Sequence, residues 1–281
     1  MSAPIPASSA LRLNRLNEPK TIDDVLRNID EIIGWATETK SHIGYFAVLY
    51  KRTTLAIRDA VNDKVFDDGP RMEALDIAFA TRYFNALNAY FHPAKGDGSS
   101  LPWTVSFVGD HDGQAIILQH LMAGMNAHIT FDLGLAVFAV APNSMDSLAD
   151  DYDRVNTILF KQLPDVLRVI DQLSPEIRWT RWLIPGEIGF LQRSLRQLRR
   201  GAWDFAYYLA THSSSVVERT VHQEAWTAAL GSWYLQPPGR FTPFPALVRL
   251  IGKHECRDVV SNLRALEDVS NTPYKPKKGY R

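Results

Sequence analysis

The stretch GQAIILQHLMAGMNAHITFDLGLAVFAV, Gly113–Val140, decides the fold. It is apolar on nearly every side, so it reads as one long helix at the centre of a bundle rather than as an amphipathic surface helix. Into that apolar run are set His120, Asn126, His128 and Asp132. Buried ionisable groups cost free energy unless they are paired, hydrogen-bonded or metal-bound. His128 and Asp132 are four apart, one turn above each other on one face. That spacing lets one helix offer two ligands to a metal, and it equally makes a buried hydrogen-bonded pair. Gly124, one turn earlier, leaves room for a metal, a substrate or a neighbouring helix. His120 precedes His128 by about 12 Å along the axis. It can line the same pocket but cannot easily share a metal with Asp132, and it also reads as an ordinary satisfied histidine.

Working outward, the periodicity is helical almost everywhere. Thr21 before Asp23 and Asp24 predicts an N-cap with an acidic first turn, opening a helix through Val25, Ile29 and Ile32. A second helix is expected over Tyr45–Val65, and Pro70 starts a third with an apolar stripe of Met72, Leu75, Phe79, Tyr83 and Leu87. Pro93–Pro102 is a loop by composition, and Trp103–Val108 is extended or helical loop, with a short strand as an alternative. Further helices are expected over Asp150–Leu173 (with Pro164 as a kink or break), Gly186–Thr211, Ser214–Leu235 and Ala246–Val269. No repeat period and no β/α alternation is visible. The fold class is therefore all-α: a single-domain helical bundle around a central buried helix, spanning 21–270, with flexible tails at 1–20 and 271–281.

Composition narrows the function classes. The chain has 281 residues, 31 basic and 31 acidic, for a formal net charge of zero. That balance argues against a global footprint for nucleic acid or anionic membrane. The single cysteine, Cys256, excludes a disulfide-stapled fold and a Cys/His zinc site. The most apolar run, Ile129–Ala141, contains Asp132 and is shorter than the roughly 20 residues of a membrane span. No apolar targeting segment follows a basic start, and the expected location is the cytoplasm. His-Glu-x-x-His, dinucleotide, P-loop and Gly-x-Ser-x-Gly fingerprints are all missing.

Other helices offer polar partners. Glu73 and Asp76 are three apart, with Asp76 near the core edge between Leu75 and Phe79, and Arg82 and Tyr83 follow on the same helix. Asp153 and Asn156 sit among Val155 and Ile158 as inward candidates. Carboxylates and histidines from several helices facing one interior is the arrangement of carboxylate-bridged dimetal sites, although no Glu-x-x-His occurs here. Arg193, Arg196, Arg199 and Arg200 form a basic cluster, read as a solvated face or as a seat for the phosphate or carboxylate of a bulky substrate.

Leu75–Phe84, His120–Leu133 (above all Gly-Met-Asn-Ala-His-Ile-x-x-Asp-Leu), Asp153–Asn156, and Arg199 with Ala202-Trp203 carry a resemblance. The chain resembles, over roughly Ile43–Ala210, a mainly bacterial all-helical family known only as a domain of unknown function. One branch is similar to the non-heme diiron monooxygenase of platensimycin and platencin biosynthesis. The resemblance implies a dimetal site, with Asp76, His128, Asp132 and Asp153 as best-matched ligands and His120 as a further candidate. Arg82 and Tyr83 are then the catalytic candidates, and Phe79, Gly124 and Asn126 the substrate pocket. The expectation is a diiron enzyme with two Fe ions that hydroxylates a bulky apolar, terpenoid-like molecule with O2. It would draw electrons from an external reductase, with a homodimer as one assembly. Two alternatives stay open: a helical hydrolase-type enzyme with another metal or none, and a non-catalytic helical binding protein whose His128–Asp132 pair is structural.

Overall fold

A computed structural model describes residues 12–94, 98–111, 115–177, 187–237 and 244–270. Among these there are eleven α-helices and no strand, as the periodicity requires. They are α1 (Ile22–Thr39), α2 (Ile43–Asn62), α3 (Gly69–Phe91), α4 (Leu101–Val108), α5 (Ile117–Met125), α6 (Leu133–Val140), α7 (Ala149–Leu173), α8 (Glu187–Thr211), α9 (Val216–Leu235), α10 (Phe244–His254) and α11 (Val259–Ser270).

Local chemistry sets the ends. Thr21 caps α1: its hydroxyl accepts from the Asp24 N–H, and the Asp24 carboxylate accepts from the Thr21 N–H. This reciprocal box satisfies two otherwise orphaned donors. Asp68 caps α3, with Pro70 in the first turn, where a missing N–H costs nothing. α2 ends at Asn62 rather than Val65, because Lys64 takes a left-handed conformation and turns the chain.

The central helix differs from expectation in one instructive way. α5 and α6 are joined without a break by a π-helical segment, Asn126–Asp132. The run Ile117–Val140 is long and apolar enough by length and composition to cross a membrane, and most of it is buried inside the fold. Burial on all sides is what an apolar core helix needs. α2 packs on α1, α3, α5 and α7, while α6 rests on α3 and α8, and α9 covers α4, α5 and the π segment.

Three further expectations change. Trp103–Val108 is helical, not extended: it lies in α4, whose Trp103 and Phe107 are buried. Pro164 sits inside a continuous α7. The closing helix divides into α10 and α11 around residues 255–258. The expected N-terminal tail is also ordered over residues 12–20. Leu13 and Leu16 are buried there, and Asn88 of α3 both accepts from the Leu16 N–H (2.8 Å) and donates to its carbonyl (3.0 Å). Residues 1–11 and 271–281 lie outside the described residues.

Candidate functional site

The π segment builds the site. It places His128 and Asp132 together in the middle of the bundle, 3 % and 1 % exposed. Widened π turns are rare and recur at functional sites. The His128 Nδ1 lies 3.4 Å from Asp132 Oδ2. Three donors therefore face the Asp132 carboxylate: Arg82 Nε reaches Oδ1 at 3.0 Å, and Trp103 Nε1 reaches Oδ2 at 2.6 Å. A buried carboxylate is tolerable only when so paired. Arg82 comes from α3 and Trp103 from α4, so the carboxylate ties three elements to one point.

The rest of the His128 ring is enclosed by aromatic rings. Phe79 stacks on it face to face, 3.5 Å between centroids and 10° from parallel. Tyr50 (4.6 Å), Phe46 (5.4 Å), Trp103 (5.9 Å) and Tyr83 (6.2 Å) complete the cage. Burial pushes the imidazole below its ordinary pKa, against the opposing pull of Asp132. The ring is therefore neutral at pH 7. With Asp132 accepting at Nδ1–H, the lone pair stands on Nε2, which is buried and has no hydrogen-bond partner among the described residues.

His128 opens onto an apolar cavity of about 230 Å³ between α2, α3, the central helix, α7 and α8. Its walls include Phe46, Phe79, Leu121, Leu159, Leu163 and Leu195, and its few polar groups include Asp76, His128, Gln162 and Arg199. Asp76 is buried, and its Oδ2 has no partner among the described residues. Burial, and secondarily the charge of Glu73, pushes this carboxyl up to about 7. Tyr50, also on the wall, is pushed up by burial first and by Asp76 next. On its other side Asp132 lines a polar recess of about 420 Å³ with Arg15, Arg82 and His92.

The structure thus brings together four expected site residues: His128, Asp132, Asp76 and Phe79. Arg82 joins them as the cation holding Asp132. Tyr83 is fully buried against Trp103 and Phe46 as part of the cage and does not line the cavity. The other four lie elsewhere. His120 stacks on His42 (4.6 Å, 5°), whose Nδ1 meets Asp110 at 3.0 Å, in a separate cluster. Asn126 donates to the Thr227 carbonyl at 2.8 Å and anchors α9. Gly124 faces Phe46: a Cβ there would stand 2.7 Å from its ring, so the glycine serves a tight helix crossing and not a pocket. Asp153 is exposed, its carboxylate accepting only from Asn156 among the described residues.

This donor set does not fit two irons. No group of three or more His, Cys, Asp or Glu side chains in a metal-holding arrangement exists among the described residues. Asp132 is already engaged by Arg82, Trp103 and His128. A dimetal centre needs several carboxylates free to bridge, as ferritin-like sites have.

Sequence reasoning missed Tyr50, Trp103 and the burial of Arg199. Tyr50 shares a face with Phe46 at i, i+4, a visible helical signal. Trp103 was hidden by its placement in an expected loop. Fold and site together define an all-helical protein with a buried His–Asp dyad opening onto an apolar cavity. The chain belongs to the family of unknown function DUF5995, whose model matches residues 22–237. No curated protein and no solved structure is detectably similar to it.

Proposed function

We propose that the protein binds an apolar small molecule in this cavity and performs acid–base chemistry on it, with His128 as general base. The observation that carries the reading is a histidine, His128, that lines a mostly apolar cavity and whose buried Nε2 has no hydrogen-bond partner among the described residues. An unpartnered buried acceptor costs stability, and a site that accepts a proton from a ligand is a reason to keep one. Asp132 at Nδ1 orients the ring and stabilises the imidazolium formed when Nε2 takes a proton. Asp76, on the same wall with a pKa near neutrality, supplies a second proton-transfer group.

The diiron oxidation that the resemblance implied is not carried into this proposal, because the clustered residues lack the donors for it and family membership alone assigns no reaction. A second reading, a carrier that holds the same ligand without acting on it, is favoured by the apolar lining.

Calorimetric titration with a series of apolar alcohols and hydrocarbons tests the proposal. The wild type is expected to bind saturably, and Leu163→Trp, which fills the cavity, to lose binding while remaining folded. Equal binding by both proteins would place the ligand elsewhere and overturn the reading. His128→Gln then separates enzyme from carrier: it retains binding in both cases and loses turnover in the first.

A further inference from the structure

Arg199 stands apart from the rest of its cluster. Arg193, Arg196 and Arg200 are exposed, whereas Arg199 on α8 is 5 % exposed and lines the apolar cavity. Its partners are all neutral. Nε donates to Asn156 Oδ1 at 2.8 Å, Nη2 donates to the Tyr152 carbonyl at 3.0 Å, and the guanidinium lies 4.3 Å from the Tyr152 ring centroid. No carboxylate forms an ion pair with it among the described residues, and the neighbouring Asp153 side chain points out to solvent with Asn156 as its partner. Burial drags the guanidinium below its ordinary pKa, yet an arginine stays charged. Among the described residues the protein therefore holds a cation against an apolar cavity with no carboxylate in contact with it; the charge of the exposed Asp153 reaches it only from beyond Asn156. Unpaired buried charge is costly, and nature places it where a ligand completes the pair.

We infer that Arg199 is the headgroup site for a carboxylate, and that the cavity takes an amphipathic monocarboxylic acid with an extended apolar body. This deepens the apolar-ligand reading above and rests on it. Three points converge. First, among the described residues two of the five guanidinium N–H groups are engaged, leaving donors on Nη1 and Nη2 for the paired bonds that suit a carboxylate. Second, one cation matches one carboxylate, so the occupied cavity would be neutral at that end, whereas a phosphate dianion would leave an excess charge. Third, the cavity is long. Its lining runs from Leu118 to Leu133 on the central helix and from Val155 to Ile170 on α7, each about 20 Å at the rise of a helix. Arg199 sits at the Val155 end, bonded to the residues on either side of that turn. Asp76 lines the cavity from α3 and Arg199 from α8. Headgroup and proton-transfer groups are thus separate stations: the carboxylate is held at one, and the apolar body passes the other.

Decanoate and 1-decanol share a chain and differ in the carboxylate. Titration of the full chain with each, at pH 8 and low salt, is expected to show decanoate bound at least tenfold more tightly by the wild type. In Arg199→Gln the two are expected to bind alike, with Arg199→Lys recovering part of the preference. Equal affinities in the wild type, which need no variant to fold, would overturn the headgroup assignment and leave the apolar cavity standing. A preference for decanoate that survives in a folded Arg199→Gln would place the carboxylate elsewhere and also overturn it. Failure of both ligands to bind the wild type would overturn the cavity reading and this inference with it.

Discussion

Replacing Asp76 by Asn separates a neutral, solvent-deprived carboxyl from a metal-held one. The carboxyl is buried with an unpartnered Oδ2, and burial raises it from about 3.8 to about 7. The sign follows from proton counts. Between those values the native state holds the proton and the unfolded state does not, so this group's contribution to stability falls as pH rises. At 1.36 kcal/mol per unit, the penalty is small near pH 4 and reaches roughly 4 kcal/mol above pH 7. Asn keeps the shape and never ionises. Urea unfolding of wild type and Asp76→Asn at half-unit pH steps should give a difference favouring the variant. That difference should widen by about 2–3 kcal/mol between pH 5 and pH 7 and level off above pH 8. A flat difference would show that Asp76 is solvated. A difference that widens in the opposite direction would show an ionised, partnered carboxylate, as a metal ligand would be, and would refute the reasoning.

Three more outcomes are expected. Gly124→Ala gains roughly 0.5–1 kcal/mol of helix propensity but forces a methyl to 2.7 Å from the Phe46 ring, so a thermal melt should show a net loss of about 1–2 kcal/mol; an unchanged melt would mean the crossing has slack. Trp103→Phe keeps an aromatic ring and removes one donor from the buried Asp132 carboxylate, which should cost about 1–3 kcal/mol in urea; a neutral result would show that Arg82 and His128 suffice. Protein purified from iron-supplemented cells should carry far less than one iron per chain by elemental analysis, and a content near two per chain would restore the dimetal reading.

The helices were legible because burial writes a periodicity into sequence: Val25, Ile29 and Ile32 of α1 are wholly buried at the spacing that predicted them. Thr21 was legible for a different reason: a cap is local chemistry. The central apolar run gave away both its position and its polar residues. What each polar residue does was not legible, because that depends on partners distant in sequence. His128 was paired correctly with Asp132, four residues away. Arg82 and Trp103, which decide whether Asp132 is free to bind a metal, come from 50 and 29 residues away. His120 is drawn to His42 and Asp153 to solvent by the same nonlocal packing. Gly124 fits two uses equally well in sequence, and only the position of Phe46 decides between them. Arg199 looked like its three exposed neighbours because burial of one residue in a charged run depends on helix rotation to within a fraction of a turn.

The central claim is that His128, a residue of the cavity wall, is a neutral base with its lone pair on Nε2. Nitrogen NMR of histidine-labelled protein, with the His128 signals assigned by their loss in His128→Gln, reads this directly. The account predicts a proton on Nδ1 and none on Nε2 at pH 7. The ring should stay neutral well below pH 6.5, and the Nε2 signal should move when a cavity ligand is added. An Nε2 that carries the proton at pH 7, or a ring that titrates at or above 6.5, would contradict it.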